Sequence, residues 1–132
     1  MKSCFNTITA GRQKPLEEII QWSGQAGFGA LEIDQNHIAE SLTRFSMGEL
    51  KTRISDAGLE TASIMAFNLA PLDEAGPGIA KIREGTEFAR ELGAPMLLVY
   101  CATNIPKEMP IDEALNRAAE RTSEFAKVAN PI

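Results

Sequence analysis

The sequence predicts an α/β fold with an all-parallel sheet. Amphipathic helical segments alternate with short apolar runs, and every helix leaves by the same kind of exit. The units recur at intervals of about 27 to 35 residues, the span of one βα unit. The exits align as Gln25-Ala26-Gly27-Phe28-Gly29-Ala30-Leu31, Asp56-Ala57-Gly58-Leu59-Glu60-Thr61, Glu91-Leu92-Gly93-Ala94-Pro95-Met96 and Val128-Ala129-Asn130-Pro131-Ile132. In each, a Gly or Asn can take the left-handed conformation that ends a helix. Strict alternation of this kind implies right-handed crossovers between parallel strands.

Each element has its own warrant. Ser3 to Ile8 carries Phe, Thr and Ile and suits a first strand. Pro15 fits the first helical position, and Glu17 and Glu18 favour the positive end of the helix dipole. Leu16, Ile19, Ile20 and Ser23 form the stripe of that helix, with Trp22 beside it. Ala30 to Asp34 reads as the second strand, and Gln35 to Phe45 as a polar connection with room for a short helical turn. Ser46-Met47-Gly48-Glu49 has capping-box spacing and opens a helix through Ala57, with Leu50 and Ile54 inward. Glu60 to Phe67 is the third strand. Asn68 to Gly78 holds two Pro and two Gly and reads as loop. Ile82, Thr86, Ala89 and Leu92 recur at helical spacing; Gly93 caps that helix and Pro95 prevents its resumption. Met96 to Tyr100 is a continuous apolar run, as in a strand buried on both faces. Pro110 opens a last helix whose expected stripe is Leu115, Ala118, Ala119, Thr122, Phe125, Ala126 and Ala129.

Four βα units admit two architectures. A (βα)8 barrel takes about 250 residues, so residues 1–132 are expected to form a single N-terminal half-barrel, (βα)4, stopping before strand five. An open flavodoxin-like sheet, the reading of a small binding domain, needs a fifth strand, for which only Pro131-Ile132 remain.

Composition narrows the function classes. The chain has 132 residues and a net charge of −5, with no Lys/Arg cluster, which argues against nucleic acid and anionic membranes as partners. No apolar run reaches membrane-spanning length, and the N-terminus lacks a signal-peptide pattern; the expected compartment is the cytoplasm. The two cysteines, Cys4 and Cys101, fall on the first and fourth strands. That is three strand spacings, roughly 14 Å at about 4.8 Å each, against the roughly 7 Å limit for Cα atoms in a disulfide. Free thiols are expected.

The candidate site residues lie at strand ends. On the second strand Leu31 and Ile33 share one side, and Ala30, Glu32 and Asp34 the other. Barrel parity would turn Glu32 inward and put Asp34 at the C-terminal mouth, where barrel enzymes keep their sites. Glu32 there suits a sugar hydroxyl, a supporting contact to a metal site, or a buried ion pair. Asp34 suits the mouth or a loop cap. His37, the single histidine, suits a substrate contact or proton relay, or an ordinary loop position. Asn6, Asn68, Tyr100 and Asn104 can hydrogen-bond a polyol and are equally at home in turns. Lys107 could meet a phosphate or remain a solvated charge. Gly24 to Gly29 is glycine-rich but stands between helix and strand, the wrong order for a phosphate cradle. One histidine with scattered carboxylates makes no metal constellation.

Phe5 to Ala10, Ala26-Gly27-Phe28-Gly29-Ala30-Leu31-Glu32-Ile33, Asp56-Ala57-Gly58-Leu59-Glu60 and Phe88-Ala89-Arg90-Glu91-Leu92-Gly93-Ala94 together resemble the sugar phosphate isomerase/epimerase family. These are the xylose isomerase-like TIM barrels, which include inosose dehydratases, tagatose-type epimerases and type IV AP endonucleases. The order and spacing of several weak motifs carry the resemblance, over nearly the whole chain but only the N-terminal half of such a barrel. It implies a sugar or polyol substrate in carbohydrate metabolism and a divalent metal, Mn, Mg, Co or Zn, in the full-length family. It further implies proton transfer next to a carbonyl, with the metal ligands and catalytic glutamates on strands five to eight. This stretch alone would then hold no cofactor and be inactive. AP endonucleases carry histidines where this sequence has Asn68 and Tyr100, which counts against that branch. A non-catalytic alternative is a half-barrel that self-associates through its exposed strand edges.

Overall fold

A computed structural model describes residues 2–101 and 104–130; the side chains of Ala66, Phe67, Asn68 and Cys101 lie outside it. Strands β1 (Cys4–Asn6), β2 (Ala30–Asp34), β3 (Glu60–Leu69) and β4 (Leu97–Cys101) form one sheet in that order, every pair parallel. A 3-10 turn (Thr7–Ala10) follows β1. The helices are α1 (Leu16–Gln25), α2 (Gln35–Ser41), α3 (Met47–Asp56), α4 (Ala75–Leu92) and α5 (Ile111–Ala129). The expected α/β alternation with parallel strands is therefore realised.

The helix stripes of α1, α3 and α4 are buried as their periodicities imply. Leu16 and Ile20 of α1, Leu31 and Ile33 of β2, Leu50 and Ile54 of α3, and Ala89 and Leu92 of α4 meet in one cluster between sheet and helices. Leu69, Ile82 and Phe125 form a second cluster beneath α5. Gly93, at φ 74°, closes α4 in the left-handed conformation, and the next amide, Ala94, donates to the Ala89 carbonyl at 2.8 Å. At Gly24 a Cβ would meet the Ala57 carbonyl oxygen at 2.7 Å, so α1 and the end of α3 approach more closely than any side chain allows.

Six segments differ from expectation. The run Met96 to Tyr100 is not buried on both faces: Met96, Leu98 and Tyr100 are 51%, 36% and 45% exposed, because nothing among the described residues covers the side they share. Asn130 ends α5 at φ −58°, right-handed, since a side chain makes the left-handed cap costlier than it is for Gly93. Gln35–Ser41 is a helix, because the Asp34 carboxylate caps it by accepting from the Asn36 amide at 2.7 Å. The expected loop 68–78 shrinks, since β3 runs to Leu69 and α4 begins at Ala75. Pro77 is tolerated there because the first-turn amides of a helix have no intrahelical partner to lose. β1 is only three residues long, because the Asn6 side chain accepts from the Ile8 amide at 2.9 Å and starts the 3-10 turn. In α5, Ala114 and Phe125 are buried while Leu115 is 60% exposed. The expected stripe spans two flanks, and only one has a neighbour among the described residues.

Candidate functional site

The inward face of the sheet carries one row of polar side chains. The ladders align Asn6 with Glu32 and Glu32 with Ser63. Asn6 Nδ2 donates to Glu32 Oε1 in a short contact, and Ser63 Oγ donates to Glu32 Oε2 at 3.0 Å. A register shift beside Glu32 skips Ala62, which is what brings Ser63 opposite the carboxylate.

Beside this row, the loop after β2 is pinned to the turn after β1. The Asp34 amide donates to Thr7 Oγ1 at 2.9 Å, and His37 Nδ1 lies 3.0 Å from the same oxygen. Having accepted from Asp34, the Thr7 hydroxyl still has its hydrogen for Nδ1, which fits the tautomer protonated on Nε2. His37 is thus in a helix rather than a loop, 3% exposed, with Nε2 buried and unpartnered among the described residues. The Asp34 carboxylate is buried too and accepts from both the amide and the side chain of Asn36. Both residues organise the wall of the mouth. Neither projects freely into it.

A hollow of about 380 Å³ opens at the C-terminal ends of the strands, lined in part by Arg12, Asp34, Asn36, Lys81, Glu84 and Tyr100. Gln35 Nε2 donates to Glu84 Oε2, joining the start of α2 to α4 at its rim. A larger hollow, about 590 Å³, sits at the opposite end among Lys2, Cys4, Glu60 and Pro95. It lies where strands begin, and parallel α/β folds bind ligands where strands end, so the smaller hollow is the candidate site.

Comparison with solved structures identifies the architecture. A crystal structure of an IOLI protein with a bound zinc atom matches 99% of this chain and 48% of its own, at TM-score 0.80 and 20% identity. The fold is half of a (βα)8 TIM barrel. This half-barrel also matches a xylose isomerase domain protein from Alicyclobacillus acidocaldarius subsp. acidocaldarius (TM-score 0.76, 16% identity, 99% of this chain, 47% of that one). D-psicose 3-epimerase in the presence of D-fructose matches as well (TM-score 0.70, 18% identity, 99% and 49%). The chain spans about half the length of these structures. No protein-family model and no curated protein sequence matches it.

Within the half-barrel, Asn6 and Glu32 meet on the inner wall and Asp34 and Tyr100 at the mouth. Asn68 pairs with Tyr100 through the backbone ladder, and its side chain lies outside the described residues. Asn104 and Lys107 are exposed on the loop after β4. Sequence reading missed Ser63, Arg12, Asn36, Gln35, Lys81 and Glu84. Arg12 and Asn36 follow strands and could have been found by position; Lys81 and Glu84 sit on a helix with no signal at all. Among the described residues, no group of three or more His, Cys, Asp or Glu side chains could hold a metal ion. Glu32 is occupied by Asn6 and Ser63, Asp34 by Asn36, and the His37 ring is buried, so these residues do not fit a divalent cation. Also among the described residues, no helix is long and apolar enough to cross a membrane.

Cys4, a free thiol two residues before Asn6, has its pKa raised by burial first and by the Glu32 carboxylate second, against a smaller opposing backbone hydrogen bond. Its iodoacetamide reaction, followed by peptide-mapped mass spectrometry, is expected to need a higher pH than an ordinary thiol. Glu32→Gln should bring the profile partway back. An unchanged profile in that variant would contradict the coupling.

Proposed function

We propose that this chain supplies half of the barrel of a sugar isomerase or epimerase that works by proton transfer next to a carbonyl. The mouth carries the reading. Carboxylate, amide and phenol groups converge at the strand ends, with Arg12 and Lys81 at the edge. Such a set both donates to and accepts from neighbouring hydroxyls, which is what a polyol requires. Asn36, Glu84 and Tyr100 would bind and orient the sugar, and the Asn6–Glu32–Ser63 row would keep the floor polar and fixed. The divalent metal and the acid–base pair of the resembling enzymes have no counterpart among the described residues. The chain alone is therefore expected to bind without turning over.

D-fructose accompanies one of the matched epimerases, which makes a ketose the first ligand to test. Titrating the 15N-labelled chain with D-fructose should give saturable amide shifts at Asn36, Glu84 and Tyr100. Proton NMR in D2O should show no exchange at the carbon beside the ketone. Shifts confined to the hollow around Lys2 and Glu60, or no shifts, would overturn the binding role. Exchange by the chain alone would overturn its inactivity.

A further inference from the structure

We propose that α2 closes over one sequestered water molecule, held between His37 Nε2 and Ser41 Oγ on its inner face. Both atoms are shut off from solvent and have no partner among the described residues. His37 is 3% exposed and Ser41 not at all, on a helix that packs against α1, β2, β3 and α4. Whatever packs on the outside of these elements cannot reach either atom, so the site does not depend on what covers the edges of the sheet.

The two residues are four positions apart. That spacing puts them on one helix face, one turn from each other, with Cβ atoms about 5–6 Å apart. Thr7 Oγ1 accepts from the Asp34 amide and gives its hydrogen to His37 Nδ1, so Nε2 carries the imidazole proton and is a donor. Ser41 leaves its usual option unused. Thr52, Thr86 and Thr122 each donate their hydroxyl to the carbonyl four residues back, at 2.9, 2.7 and 2.7 Å. The equivalent carbonyl for Ser41 is that of His37, and Ser41 does not donate to it. Its hydroxyl is therefore turned elsewhere. Nor do Nε2 and Oγ bond each other.

Buried polar groups in folded proteins are nearly all paired, by protein or by ordered water. The chemistry of the two atoms decides which molecule fits. An N–H donor repels a cation. No lysine or arginine is buried among the described residues, so an anion would lie there unpaired, at great cost. Water accepts from Nε2–H and donates to Ser41 Oγ, and two polar partners are enough to hold it. Gln35 Oε1, also buried without a partner among the described residues, is two residues from His37. It points about 200° round the helix and is outside this site. The water extends the chain from the Asp34 amide through Thr7 and His37, tying the inner face of α2 to the turn after β1. It is independent of the sugar reading.

A crystal structure tests the site directly: one ordered oxygen is expected within about 2.7–3.2 Å of both atoms. In solution, His37 is the only histidine, so its imidazole signals need no assignment. In the 15N-labelled protein the ring should be protonated on Nε2, and that proton should show a nuclear Overhauser effect to water. Ser41→Ala should abolish the effect while leaving the ring in the same tautomer. No oxygen between the two atoms, a direct Nε2–Oγ bond, protonation on Nδ1, or an effect that survives Ser41→Ala would overturn the bridge. The first three need no variant, so they decide the matter even if Ser41→Ala folds poorly.

Discussion

Phe125→Ala is expected to cost about 3–5 kcal/mol and to release α5 from the rest of the fold. Phe125 is 3% exposed and joins Leu69 and Ile82 in the smaller core cluster. Its ring lies against the bare backbone of Gly78, where an added Cβ would meet Phe125 Cζ at 2.7 Å. The other buried residue of α5 is Ala114, too small to hold the helix by itself. The loss should therefore be local first. Hydrogen exchange across α5 should accelerate well before β2 loses protection, and the urea midpoint should fall. Unchanged exchange in α5 would mean that the helix is held by something other than this ring.

Ile38→Ala should cost about 2–5 kcal/mol and should loosen the mouth. Ile38 is fully buried in a helix only seven residues long, Gln35–Ser41. A helix that short is marginal on its own and depends on tertiary packing. The same helix carries Gln35, which holds Glu84, and His37, which meets Thr7. Losing its anchor should raise exchange over α2 and weaken the D-fructose shifts at Asn36 and Glu84 together. A lower midpoint with intact shifts would show that the mouth is held from β2 and α4 instead.

The architecture was legible because its signals are periodic. The stripe Leu16, Ile19, Ile20, Ser23 and the pair Leu50, Ile54 are buried as the spacing implies. Two boundaries were not legible. The cap that makes α2 a helix is one carboxylate in an otherwise polar stretch. Gly76-Pro77-Gly78 reads as loop although the first turn of a helix tolerates it. On α5, the sequence pattern shows apolar surface without showing which flank has a neighbour, so Leu115 was expected inside. The site divides in the same way. Glu32 and Asn6 follow from strand parity and a shared end of adjacent strands. Ser63 joins them through a register shift that alternation cannot reveal, and Gln35 meets Glu84 across 49 positions of sequence separation.

The placement of Trp22 has an optical consequence. It is the chain's only tryptophan, it stands on the open flank of α1, and the Lys14 ammonium sits 5.4 Å from its ring centroid. Its emission therefore reports the polarity of that single spot with no competing indole. Whatever comes to rest there displaces water from the ring and moves the emission maximum toward the blue, so coverage of the flank can be read in dilute solution without a label.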